Sequence, residues 1–126
     1  MCPLLCHISS LHGLRDDRIY WKEALSLQRA GYRVVHLGVT DKAVDETSPE
    51  RIRLIGLPRK RYFTNPWVDI LFRRLTFRPN VYRQLLRVCA ELKADVYHIH
   101  DIQVNRIGTA LQQLPHRPRI VYDVHE

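Results

Sequence analysis

The chain has 126 residues, of which 45% are hydrophobic and 26% charged, and its formal net charge is +7. That length suits one domain, and that apolar fraction excludes a disordered chain. No apolar run approaches the ~18 residues of a membrane-spanning helix, and the scattered Cys2, Cys6 and Cys89 exclude a disulfide scaffold or a cysteine zinc cage.

Residues 3–8 (PLLCHI) read as a buried strand. Residues 17–30 read as a helix. Asp16 or Asp17 caps its start, Tyr20, Ala24 and Leu27 recur on one stripe, and Gly31 follows at the left-handed C-terminal cap position. Residues 32–38 (YRVVHLG) predict a second strand, and the polar, acidic stretch 40–50 a surface loop. Residues 52–57 (IRLIGL) predict a third strand, closed by Pro58. Residues 65–77 and 80–92 are helical, with Pro79 between them. Residues 95–100 (DVYHIH) predict a fourth strand, 104–114 a helix ending near Pro115, and 119–124 (RIVYDV) a fifth strand. Strands separated by helices imply a parallel sheet with right-handed crossovers. The expected fold is a Rossmann-like, three-layer α/β/α domain with about five strands in the order 3-2-1-4-5.

The charge is uneven. Between Arg51 and Arg87 stand ten basic residues and one acidic residue, Asp69, so that segment carries +9 and the remainder of the chain −2. Tyr62, Phe63, Trp67, Phe72, Phe77 and Tyr82 are interleaved with them. Such a block is either a solvated basic face backed by buried aromatics or a surface for an anionic membrane; nucleic acid is not the expected partner. Arg59, Lys60, Arg61, Trp67, Arg73 and Arg74 are the candidate membrane-facing residues. The N-terminus lacks a secretory pattern, so the cytoplasm is the expected compartment, with peripheral attachment to the inner face of the membrane.

Nucleotide and hydrolase motifs fail. The glycines (Gly13, Gly31, Gly38, Gly56 and Gly108) form neither Gly-x-Gly-x-x-Gly nor a Gly-Lys-Ser/Thr loop, and no Gly-x-Ser-x-Gly elbow exists. Polar residues gather instead at predicted strand ends: the loop from Ser9 to Arg18 with His12, then His98, His100 and Asp101, then Asp123, His125 and Glu126. In this fold those ends border one crevice. His98 and His100 share a face by strand alternation. His98 reads as a packed strand residue, and His100, at the strand tip, as the site residue. An imidazole there can accept a proton or hydrogen-bond a sugar hydroxyl, with Asp101 orienting it. Asp101 follows His100 too closely for the usual His-x-His metal pattern, so no metal is expected.

These residues resemble the family 4 glycosyltransferases of the GT-B fold. The match runs through HGLRDDRIYWKEALSLQRAGYRV from His12, ADVYHIHD from Ala94 and YDVHE from Tyr122, in order along almost the whole chain. The resemblance implies two Rossmann-like domains facing across a cleft, the N-terminal one for the acceptor and the C-terminal one for a nucleotide-sugar donor. It implies sugar transfer with retention, without a metal or other cofactor, to a glycan, lipid-linked or cell-envelope polysaccharide acceptor. It places His100 and Asp101 near the reacting sugar as the catalytic pair. It assigns acceptor or substrate contacts to His12, Asp16, Arg18, Lys22, His125 and Glu126. Gly13 stands alone where many members of the wider superfamily carry a Gly-Gly pair, which argues against tight backbone contact with a diphosphate in that loop.

Because the chain stops directly after the fifth predicted strand, residues 1–126 are expected to be the acceptor-side domain alone, inactive without its C-terminal donor-binding partner domain. Two rival readings use the same residues. One is a non-catalytic basic domain for RNA, anionic lipid or protein. The other is a metal-dependent hydrolase fragment built on His98, His100 and His125.

Overall fold

A computed structural model describes residues 2–9, 17–40, 42–58, 64–76, 82–100 and 106–122. Six strands form one sheet: β1 (Leu4–Ser9), β2 (Arg33–Thr40), β3 (Val44–Thr47), β4 (Arg53–Pro58), β5 (Val96–Ile99) and β6 (Arg119–Tyr122). Their order across the sheet is β3-β4-β2-β1-β5-β6. All neighbouring pairs are parallel except β3 with β4. Omitting β3, this is the expected doubly wound order of a Rossmann-like α/β domain.

The stretch expected to be a loop, 40–50, therefore contains a strand. β3 (VDET) has no apolar alternation because it is an exposed antiparallel edge with little to bury. It is held by its ladder to β4 and by a bidentate pair, Arg53 Nε to Asp45 Oδ1 at 3.0 Å and Arg53 Nη2 to Asp45 Oδ2 at 2.9 Å. That bond draws the Asp45 carboxyl below its ordinary range.

The first helical segment opens as a π-helix, Asp17–Ala24, and continues as a short α-helix, α1 (Leu25–Arg29). It ends as its sequence requires. Gly31 adopts φ +100°, and the amide of Tyr32 donates to the carbonyl of Leu27. Three further helices follow: α2 (Pro66–Thr76), α3 (Tyr82–Leu92) and α4 (Arg106–Gln112). At the start of α2 the Asn65 side chain accepts a hydrogen bond from the Trp67 amide at 3.0 Å, and Pro66 occupies the first helical position.

Side-chain alternation sends the core to both faces of the sheet. One face packs Cys6, Ile8, Val35, Leu37, Ile55, Tyr97 and Ile99 against Leu85 and Cys89 of α3 and Ile107 and Leu111 of α4. The other packs Val34, Ile52 and Leu54 against Tyr20, Ala24 and Leu25. The cysteines are free thiols, with Cys6 and Cys89 buried and Cys2 exposed. No helix among the described residues is long and apolar enough to cross a membrane.

Candidate functional site

The second face of the sheet carries an unusual polar row. In the parallel register His7 of β1 lies beside His36 of β2 and beside His98 of β5. Cys6, Ile8, Tyr97 and Ile99 point into the apolar core, so alternation turns His7, His98 and His100 to the opposite face. Ring centroids are 6.4 Å apart for His7–His36, 5.1 Å for His7–His98, 4.9 Å for His7–His100 and 4.1 Å for His98–His100. His7, His36 and His100 are fully buried.

The row is internally bonded. Ser9 Oγ and His36 Nε2 are 2.9 Å apart, and His7 Nδ1 and His100 Nε2 are 2.6 Å apart. Glu23, brought over the sheet by the π-helical segment, places Oε2 3.6 Å from His100 Nε2. Burial, followed by the neighbouring rings of His100, His98 and His36, holds His7 well below the usual histidine range. His7 is therefore neutral at physiological pH. His7, Glu23, His98 and His100 each offer a ligand atom, and those atoms lie within 4.8 Å of one another.

Of the sequence-predicted site residues, the structure seals His100 between His7 and Glu23, and it sets His98, read from the sequence as a packed strand residue, beside it. Lys22 is exposed on the π-helical segment. Arg18 lies on the same segment, with its side chain outside the described residues; His12, Asp16, Asp101, His125 and Glu126 lie outside them altogether. In the basic block, Arg59, Lys60 and Arg61 also fall outside, as do the side chains of Arg73 and Arg74 on α2. Trp67 is 81% exposed, so it is not part of a buried aromatic backing. His7 and His36 were not singled out by sequence reasoning. Their signal was a histidine in the middle of each of two apolar strand runs, LLCHIS and RVVHLG.

Two other residues of the ADVYHIHD stretch have structural work. Asp95 Oδ2 accepts from the Leu4 amide at 2.8 Å, which ties the start of β5 to β1. The Tyr97 hydroxyl donates to the Cys89 carbonyl and accepts from the Ala94 amide, bridging α3 to β5. No curated protein matches the chain significantly. The family model described as glycosyl transferase 4-like domain matches residues 21–126, which include the π-helical turn that carries Glu23 and every strand after β1. With the parallel sheet and the histidines at the end of β5, this match establishes that the chain belongs to the glycosyltransferase 4-like family.

Proposed function

We propose that the chain is the acceptor-side Rossmann-like domain of a two-domain, retaining glycosyltransferase. The carrying observation is the family match over residues 21–126. The His98–His100 pair at the end of β5, where doubly wound sheets form their crevices, agrees with it. In this reading a nucleotide-sugar supplies the donor, and a glycan, lipid-linked or cell-envelope acceptor receives the sugar. The bond from the anomeric carbon to the nucleotide diphosphate breaks, a bond to the acceptor oxygen forms, and the acceptor hydroxyl proton leaves. No metal takes part in that exchange, as the family resemblance implies.

His100 and Asp101 carry the chemistry on this side of the cleft. His100 Nε2 faces His7 and Glu23. His12, Asp16, Arg18, Lys22, His125 and Glu126 hold the acceptor. The domain without a donor-binding partner domain binds acceptor and does not turn over. The enzyme works on the cytoplasmic side of a membrane, to which Arg59, Lys60, Arg61, Trp67, Arg73 and Arg74 dock it.

The test is transfer by the two-domain enzyme from a panel of nucleotide-sugars to glycan and lipid-linked acceptors. His100→Ala should lower kcat about 10²–10⁴-fold in an enzyme that still folds. Absence of transfer across the panel by folded enzyme overturns the reading. Full turnover by residues 1–126 alone overturns the assignment to one half.

A further inference from the structure

The sequence contains no standard metal motif, yet the fold assembles a ligand set from three places far apart in the chain. His7 comes from β1, His98 and His100 from the end of β5, and Glu23 from the π-helical segment lying over them. We propose that His7, Glu23, His98 and His100 bind one divalent transition-metal ion of the zinc type, which bolts the π-helical segment to β1 and β5. This goes beyond the proposed transfer reaction, in which the ion takes no part.

Three observations carry the assignment. First, the donor set is chemically matched. Three imidazoles and one carboxylate suit a tetrahedral borderline ion, whereas an oxygen-seeking ion such as Mg²⁺ or Ca²⁺ would find one carboxylate only. Second, the spacing is close to what coordination needs. Ligand atoms about 2.0–2.1 Å from a tetrahedral ion are ~3.3 Å from one another. The four atoms here already lie within 4.8 Å, and the His100 Nε2–Glu23 Oε2 separation is 3.6 Å. The 2.6 Å approach of His7 Nδ1 to His100 Nε2 would open by less than an ångström as the ion replaces a shared proton.

Third, two of the four ligands are taken fully out of water. His7 and His100 are fully buried, and His7 Nε2 has no hydrogen-bond partner among the described residues. Burying the neutral His7 imidazole costs desolvation. An ion bound at its Nδ1 offsets that cost. Four protein ligands also close the coordination sphere. The ion is then structural, with no position for water or a sugar oxygen.

The probes are Zn²⁺ and Co²⁺ added to chain that has been stripped with chelator and confirmed folded by circular dichroism. Elemental analysis after dialysis should give one equivalent of Zn²⁺ per chain, and Co²⁺ should produce the intense visible bands of a tetrahedral site. Zn²⁺ should raise Tm. Glu23→Gln alters a partly exposed group and should keep the fold while weakening Zn²⁺ binding at least about tenfold. His7→Asn should abolish the tetrahedral Co²⁺ spectrum, and His116→Gln, away from the cluster, should leave it intact. Folded chain that takes up no Zn²⁺ overturns the proposal. So does Co²⁺ binding with an octahedral spectrum, or Zn²⁺ binding unchanged by both Glu23→Gln and His7→Asn.

Discussion

Tyr97 shows how a single hydroxyl can hold two elements together. It donates to the Cys89 carbonyl near the end of α3 and accepts from the Ala94 amide at 3.2 Å, all in a buried setting. Tyr97→Phe leaves both backbone groups without that partner, so it should cost about 1–3 kcal/mol, read as a lower urea midpoint at unchanged m. An unchanged midpoint would show that water replaces the hydroxyl. His7 makes a pH prediction. Its folded pKa lies below the ordinary value, because burial and three neighbouring imidazoles oppose its charge. The unfolded chain therefore binds a proton that the folded chain refuses. The resulting stability is fully present above the ordinary histidine pKa of about 6.5 and drains away as the pH falls below it. Urea titrations of metal-stripped chain across that window should show the loss, and His7→Gln should flatten it. A slope indifferent to His7→Gln would place the sensitivity elsewhere.

At the scale of elements, the parallel strands were legible because each is a short apolar run closed by a turn residue. Alternation then placed His98 and His100 on one face. β3 was not legible. Its four residues, VDET, are held by ladder bonds and the Asp45–Arg53 pair, and neither leaves a hydrophobic pattern. The site was half legible for a related reason. His7 meets His100 across a separation of 93 residues, and strand register is not written in local periodicity. The approach of Glu23 to His100 was hidden by the π-helical turn, whose i→i+5 bonding changes which positions share a face. The end of α1 was the clearest signal, and it carries its own test. A Cβ built on Gly31 meets nothing within 4 Å, yet φ is +100°. Gly31→Ala therefore isolates the backbone term. It should lower stability by about 1 kcal/mol, with a proportionate fall in Tm, without disturbing packing. A neutral or stabilising result would mean that the turn relaxes to negative φ.

For the whole molecule, the question is what the uneven charge is for. The segment from Arg51 to Arg87 carries +9 on an otherwise slightly acidic chain, and it includes α2. Along α2 three large apolar residues do not face the core. Trp67 is 81% exposed, Leu71 57% and Leu75 70%, at successive four-residue steps, while Asp69 is 2% exposed. An apolar stripe within a basic segment is the composition of a helix that lies in a membrane interface. Each basic residue near an anionic leaflet contributes about 1 kcal/mol, and each seated large side chain about 1.5–3 kcal/mol as an upper estimate. The terms are comparable, so neither charge nor apolar contact should suffice alone. The chain should sediment with anionic vesicles at low salt, detach as salt rises, and ignore zwitterionic vesicles. Leu71→Asp and Trp67→Asp, at exposed positions, should leave the fold intact and weaken sedimentation at low salt. If folded chain ignores anionic vesicles at low salt, docking through α2 is wrong. If it sediments but the two substitutions have no effect, the basic residues alone make the contact and the exposed stripe faces something else.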